Sequence, residues 1–284
     1  MLTRTLLVLA GLHCFAVAAE AQDLRVITEH RTGEFDAVLP VRSPESGAEP
    51  WAARFQFRGN LDSWDYDLAD ESFSFYVPPD YDPNGEPYGV LVWVSPFDDG
   101  AIPPGLPPIL DERRLIWIGP NNAGNARHLF PRAGLVLDAA ENMGRFYNVD
   151  PERIFVSGLS GGGKVAAFQA VAYPDVFAGG YPLIGAMTYL TVPLESNPLQ
   201  VVQRFPRPTE EMLERARQQP LVILTGNGDF NREECRLTAA AYEQDGFTSV
   251  HFLDIEGMGH EMPSTADFAR GLDLLLAPPS IDNE

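Results

Sequence analysis

The sequence predicts an α/β protein with a mostly parallel central sheet and helices on both faces of that sheet. Short apolar runs bounded by turn residues recur along the chain, and such runs are typical of strands buried on both faces. Segments with helix-forming composition lie between several of these runs. Because strands and helices alternate, the connections cross the sheet, and this favours parallel pairing.

The individual elements follow from the same pattern. The predicted strands are Val90 to Val94, Leu115 to Ile118, Ile154 to Ser157, Tyr181 to Ile184, Leu221 to Thr225 and Val250 to Ile255. The predicted helices are Arg132 to Tyr147, Gly161 to Tyr173, Glu210 to Gln218, Arg232 to Asp245 and Ser264 to Leu276.

The amino-terminal residues predict export. Arg4 precedes an apolar run from Leu6 to Ala19, and this run ends in the small-residue pattern Ala19-Glu20-Ala21. This is the pattern of a signal peptide comprising residues 1–21, cleaved after Ala21, so we expect a secreted or periplasmic protein. A retained anchor is the alternative, but a bilayer needs about 20 apolar residues, and this run is shorter. Cleavage would leave Cys235 as the one cysteine, without an internal disulfide.

The remaining chain divides into two predicted regions. Residues 22–75 contain short alternating segments, Trp51 to Phe57 and Ser72 to Val77, which predict antiparallel strands at one edge of the sheet. Residues 76–284 form the predicted main α/β domain. Within it, residues 185–219 are rich in proline and polar side chains and could form a small cap.

Charge and composition exclude several classes of partner. The 284 residues include 40 acidic and 20 basic side chains, and the resulting net charge of −20 opposes binding to nucleic acid or to anionic membranes. No two histidines have the spacing of metal ligands, so the sequence predicts no metal site. The oligomeric state is left open.

A glycine-rich turn carries the candidate nucleophile. Gly158-Leu-Ser-Gly-Gly162 matches G-x-S-x-G between a predicted strand and a predicted helix, a turn that projects Ser160 above the sheet. The Gly161 amide would begin the helix and bind an oxyanion. A phosphate-binding loop is the rival interpretation, but Val165 stands where that motif needs Ser or Thr. A plain glycine-rich turn is the remaining alternative.

A serine nucleophile needs a histidine base and a carboxylate that orients it. In chains with this turn, the acid and then the histidine follow the serine. Asp229 follows the predicted strand Leu221 to Thr225, although an aspartate there would also fit a turn or a helix cap. His260 lies in a loop after the last strand, whereas His251 lies within that strand. We therefore predict His260 as the base. His128 precedes the serine and is better placed to contact substrate.

With these residues assigned, the chain resembles the α/β-hydrolase superfamily, and among its members the secreted esterases of the polyhydroxyalkanoate depolymerase and feruloyl esterase kind. The similarity spans about Phe73 to Leu276 and is carried by Val149 to Gly162, Thr225 to Asp229, and Gly257 to His260. The resemblance implies an eight-stranded sheet, a Ser-Asp-His triad, no cofactor, and small-molecule or polymer-linked ester substrates.

The chain departs from these relatives after the strand Val90 to Val94. Relatives place His-Gly there, whereas this chain has Ser95-Pro96-Phe97. Proline has no amide hydrogen, so Phe97 is predicted to supply the second oxyanion donor. The following Asp98-Asp99 pair would oppose an oxyanion unless it points to solvent. Two alternatives to an esterase stay open at this stage: a catalytically degenerate binding protein, and a serine peptidase.

Overall fold

One eight-stranded sheet organises the chain in the computed structural model, which describes residues 26–27, 30–57 and 66–277. The predicted signal peptide lies outside these residues. The strands are β1 (Gly33–Ala37), β2 (Phe73–Val77), β3 (Tyr88–Val94), β4 (Leu115–Pro120), β5 (Val149–Leu159), β6 (Gly180–Leu183), β7 (Leu221–Gly226) and β8 (Val250–Ile255). The helices are α1 (Ala48–Arg54), α2 (Pro107–Glu112), α3 (Leu129–Phe146), α4 (Gly161–Ala172), α5 (Glu210–Ala216), α6 (Arg232–Gln244) and α7 (Thr265–Leu275).

The strand order is β1-β2-β4-β3-β5-β6-β7-β8. Strand β2 pairs antiparallel with both β1 and β4, and every other neighbouring pair is parallel. The predicted mostly parallel sheet is therefore confirmed. Because β3 to β8 all run in one direction, the loops that follow them meet at a single edge, where ligands bind in sheets of this kind.

Alternating side chains of the central strands divide the core between the two faces of the sheet. Val92 in β3 packs in the cluster that includes Val136 of α3 and Phe168 of α4. Trp93, the next residue, packs in the opposite cluster with Leu110 of α2 and Phe268 of α7. Helices therefore cover both faces, which is why the central strands have continuous apolar sequences.

The segment from Trp51 to Phe57 is not a strand, and this prediction was wrong. Residues Ala48–Arg54 form α1, in which Trp51 is buried. Trp51 and Phe55 are both buried and lie four residues apart, a spacing that brings two side chains to the same side of a helix. The intervening alanines favour helix as well. By contrast, the predicted strand Ser72 to Val77 corresponds to β2.

Two elements were not predicted. Strand β1 contains only two buried apolar side chains, Phe35 and Ala37, and this is too few to give a clear alternating pattern. Helix α2 begins with Pro107-Pro108 and is six residues long. None of the described helices is long and apolar enough to cross a membrane.

Candidate active site

Ser160 lies at a sharp turn between β5 and α4. Its backbone has φ 54° and ψ −116°, a conformation that is unfavourable for a residue with a side chain. The neighbouring glycines allow the turn to pack closely against the sheet: a Cβ atom on Gly162 would overlap the Val94 carbonyl oxygen at the end of β3. The geometry is that of a strained turn that exposes a serine hydroxyl above the sheet.

His260 and Asp229 reach Ser160 from the loops that follow β8 and β7. The Ser160 Oγ atom is 2.8 Å from His260 Nε2, and His260 Nδ1 is 2.7 Å from Asp229 Oδ1. The three side chains predicted from sequence therefore form one continuous hydrogen-bonded line. His251 lies within β8, and its Nε2 is 3.3 Å from Ser249 Oγ.

Two further contacts orient the Asp229 carboxylate. Its Oδ2 atom accepts a hydrogen bond from the buried Thr225 hydroxyl at 2.6 Å. Its Oδ1 atom accepts one from the Asn231 amide at 3.0 Å. Thr225 was not predicted from the sequence; its position four residues before the acid, near the end of a buried strand, was the available signal.

Phe230 and Phe97 are exposed aromatic side chains. The ring of Phe230 stacks on the His260 imidazole with 3.9 Å between the ring centroids. Tyr189, in the segment 185–219, is buried. It packs against Phe205 and Tyr242 in the core.

The loop after β3 is held in a defined conformation. The Phe97 amide donates a hydrogen bond to Ser95 Oγ at 3.1 Å. The Pro96 carbonyl accepts one from the Asn125 amide at 2.9 Å, which joins this loop to the loop after β4. The Asn125 side chain also lies against the Cα atom of Gly161, where a Cβ atom would overlap Asn125 Oδ1.

The two aspartates of this loop are directed towards neighbouring backbone amides. Asp98 Oδ1 accepts a hydrogen bond from the Gly124 amide at 3.0 Å, and Asp99 Oδ1 accepts one from the Ala101 amide at 2.8 Å. Neither carboxylate lines the cleft at Ser160. The electrostatic conflict that the sequence suggested is therefore reduced by the orientation of these side chains.

A cleft of about 640 Å³ lies beside Ser160 and Gly161. Its walls include His128 and Arg132 from the start of α3, Lys164 from the first turn of α4, and Gln203 from the segment 185–219. Over the described ranges, no group of three His, Cys, Asp or Glu side chains has a geometry that could hold a metal ion.

Comparison of the sequence with known proteins gives one short match. No protein-family model matches the chain. A 45-residue segment is 44% identical to a poly(3-hydroxyalkanoate) depolymerase from Paucimonas lemoignei, and this match covers 16% of the chain and 11% of the depolymerase.

Solved structures are similar over a much larger part of the chain. S-formylglutathione hydrolase from Staphylococcus aureus matches with a TM-score of 0.51 at 16% identity, covering 71% of this chain and 89% of that one. An esterase from Pyrobaculum calidifontis matches with a TM-score of 0.50 at 15% identity, covering 72% and 81%. The chain has the α/β-hydrolase fold.

Proposed function

We propose that the protein is a serine esterase that hydrolyses carboxylic esters through an acyl-enzyme. The observation that carries this proposal is the line of hydrogen bonds from Ser160 through His260 to Asp229. Fold alone does not assign an activity, but this geometry meets the requirements of nucleophilic catalysis, because the serine, its base and the group that orients the base are all in contact.

Each residue has a defined role in the proposed reaction. His260 Nε2 accepts the Ser160 proton as Oγ attacks the ester carbonyl, and it then returns a proton to the departing alcohol. Asp229 fixes the tautomer with hydrogen on Nδ1 and stabilises the imidazolium that forms. Water, activated by the same histidine, then cleaves the acyl-enzyme and releases the acid.

The oxyanion would be bound by the amides of Gly161 and Phe97. Gly161 is the first residue of α4, and helix geometry leaves its N–H without an intrahelical acceptor. The Phe97 amide donates to Ser95 Oγ. That acceptor is neutral, whereas hydrogen bonds to an ionised acceptor are about twice as strong. We therefore propose that the Phe97 amide exchanges Ser95 for the oxyanion as negative charge develops.

A non-catalytic binding protein is the second candidate function. The observation that favours it is the Phe97 hydrogen bond within its own loop, because loss of one oxyanion donor costs roughly 100- to 1000-fold in rate. The hydrogen-bonded contact between Ser160 and His260 opposes it, since a binding protein does not require an aligned nucleophile and base.

The test is hydrolysis of p-nitrophenyl and feruloyl esters by the wild type and by Ser160→Ala, His260→Ala and His251→Ala. We expect turnover by the wild type, its loss in the first two variants, and its retention in His251→Ala, because His251 contacts Ser249 instead of the nucleophile. A folded wild type that turns over no ester and takes up no fluorophosphonate at Ser160 would exclude the esterase and leave the binding protein.

We also propose that the protein acts outside the cytoplasm. The support is the sequence of residues 1–21, with a basic start, an apolar run and an Ala-x-Ala pattern before Gln22. Expression of the full chain in a bacterial host, followed by mass spectrometry of the exported fraction, should give a mature chain that begins at Gln22. Recovery of the intact chain in the membrane fraction would instead indicate a retained anchor.

A further inference from the structure

The charge of the cleft beside Ser160 contrasts with the charge of the whole chain. The protein has 40 acidic and 20 basic residues. Yet the charged residues that line the cleft are all basic, namely Arg127, Arg132 and Lys164, and they are accompanied by His128. No carboxylate is among the lining residues in the described part of the chain. The cleft is therefore a local basic site on an acidic protein.

Two of these basic side chains are already paired with carboxylates behind the cleft. Arg127 donates to both Glu71 oxygens, at 2.8 and 2.5 Å. Lys164 Nζ is 2.8 Å from Glu234 Oε2. Neither Glu71 nor Glu234 lines the cleft. Since these charges are compensated, they contribute little net attraction for a ligand.

Arg132 differs from Arg127 and Lys164, because its hydrogen-bond partners in the protein are neutral carbonyl groups. Only 6% of the residue is exposed. Its Nε atom donates to the Ala123 carbonyl at 2.6 Å, and Nη2 donates to the Ser95 carbonyl at 3.2 Å. Among the residues that the structure describes, no carboxylate lies within ion-pair distance of this guanidinium. A guanidinium has five N–H donors, so these two bonds leave donors for a ligand.

Arg132 is also charged at neutral pH. Burial lowers the pKa of its guanidinium to about 10, against the opposing effect of the Asp98 charge. A buried cation with no carboxylate within ion-pair distance is costly, and an anion that binds it offsets part of that cost. Arg132 thus combines burial and positive charge with a place among the residues that line the cleft beside the nucleophile.

We infer that Arg132 binds a carboxylate carried by the substrate, so that the preferred substrates are esters that also have a free carboxylate group. This inference rests on the proposed esterase function. The planar guanidinium suits a carboxylate because it can donate two parallel hydrogen bonds. Two kinds of ester belong to this class. Half-esters of dicarboxylic acids carry the free carboxylate on the acyl side, and O-acylated hydroxy acids carry it on the alcohol side.

The experiment compares each anionic ester with a neutral ester of nearly the same shape. On the acyl side, p-nitrophenyl half-esters of adipic and suberic acid are compared with their terminal carboxamides. On the alcohol side, 4-acetoxybenzoate is compared with 4-acetoxybenzamide. For at least one side we expect the wild type to favour the carboxylate by about 10- to 100-fold in kcat/KM, the range for hydrogen bonds to a charged group.

The variants separate binding of the carboxylate from a structural role of Arg132. In Arg132→Gln, we expect the ratio of carboxylate to carboxamide kcat/KM to fall to about one, and Arg132→Lys should restore part of it. Arg145→Gln is the matched control, because Arg145 lies in the same helix, pairs with Glu141, and is far from the cleft. That variant should keep the wild-type ratio.

Several outcomes would overturn the inference. One is a wild-type ratio of carboxylate to carboxamide kcat/KM of one or less for both the acyl-side and the alcohol-side pair. This measurement does not depend on whether any Arg132 variant folds. Another is an equal loss of kcat/KM for the carboxylate ester and its carboxamide in Arg132→Gln. Arg132 would then have only a structural role, in joining the loops of Ser95 and Ala123. In either case turnover of the neutral esters leaves the proposed function intact. Failure to cleave any ester would reject the esterase itself.

Discussion

Asp229 and His260 are joined by a 2.7 Å contact between Oδ1 and Nδ1, and the Asp229 side chain is fully buried. A buried carboxylate acts strongly on a neighbouring imidazole because little water screens the interaction. The contact therefore specifies which histidine nitrogen carries hydrogen and leaves the other, Nε2, directed at Ser160.

Replacement of Asp229 by asparagine should preserve the fold and remove most activity. The amide has nearly the same shape, but it cannot favour the required tautomer or stabilise an imidazolium, and we expect kcat to fall by about 10⁴-fold. Ester hydrolysis under saturating substrate measures the effect. Asp254→Asn is the control, because Asp254 pairs with Arg232 at the surface. A residual kcat above a tenth of the wild-type value would contradict the proposed role.

Thr225 is a positioning residue for the same carboxylate. Thr225→Val replaces the hydroxyl with a methyl group of similar size and leaves Asp229 Oδ2 without its 2.6 Å donor. We expect kcat to fall by about 10-fold, as for loss of one hydrogen bond to a charged group, with KM unchanged. Thr225→Ser keeps the hydroxyl and should restore kcat. If the serine variant is as slow as the valine variant, the hydroxyl is not the cause.

The backbone strain at Ser160 predicts an unusual order of stabilities. Ser160→Ala and Ser160→Gly both remove the hydrogen bond to His260. The difference between their free energies of unfolding therefore reports the cost of the backbone conformation at φ 54°. Relief of strain worth about 1–3 kcal/mol outweighs the extra chain entropy of glycine, about 0.5–1 kcal/mol. We expect the glycine variant to be more stable by about 1 kcal/mol in urea unfolding. A more stable alanine variant would show that the turn is not strained.

The ion pair between Arg54 and Asp175 predicts a pH-dependent stability. Arg54 donates to both Asp175 oxygens, at 2.8 and 2.7 Å, and joins α1 to the end of α4. Burial alone would raise the pKa of Asp175, but the hydrogen bonds and charge of Arg54 outweigh burial and lower it. The folded pKa thus lies below the unfolded value of about 3.9, so the pair stabilises the protein above about pH 4.

Arg54→Gln should lower the free energy of unfolding by about 2 kcal/mol at pH 7. This deficit should shrink as the pH falls below about 4, because Asp175 becomes protonated and the wild type also loses the pair. Urea unfolding at pH 7, 5, 4 and 3 measures the trend. Arg145→Gln, which removes an exposed pair within α3, should cost less than about 0.5 kcal/mol. A deficit that is constant with pH would instead indicate loss of contacts that do not titrate, namely packing on Tyr173 and the hydrogen bond to the Ala172 carbonyl.

Local sequence patterns were sufficient for the central strands and for the three residues that meet at Ser160. Strands β3, β4, β6 and β7 are buried along their whole length, so their sequences are almost continuously apolar. Ser160 stands in a motif with a steric requirement for glycine, and Asp229 and His260 follow from chain order and from their places after strands. These features are short motifs and their order along the chain, and a single sequence displays them.

The residues that sequence reasoning missed depend on tertiary contacts. Arg132 stands within an apolar helix, and nothing nearby in sequence shows that its partners are the carbonyls of Ser95 and Ala123. The burial of Trp51 and Phe55 similarly results from helix α1, whose seven residues are too few for a clear helical period. Short elements and long-range hydrogen bonds therefore account for most of the difference between prediction and structure.

The 2.8 Å contact between Ser160 and His260 joins residues that are 100 positions apart in the chain. Closure of so long a loop is entropically unfavourable. The contact therefore forms only after β5 and β8, which precede the two residues, are in place in the sheet. During refolding, helical circular dichroism should therefore recover before fluorophosphonate labelling of Ser160 does. The reactivity of one serine would then report when β5 and β8 are both in place, and the lag behind helix formation would measure the delay of this long-range contact.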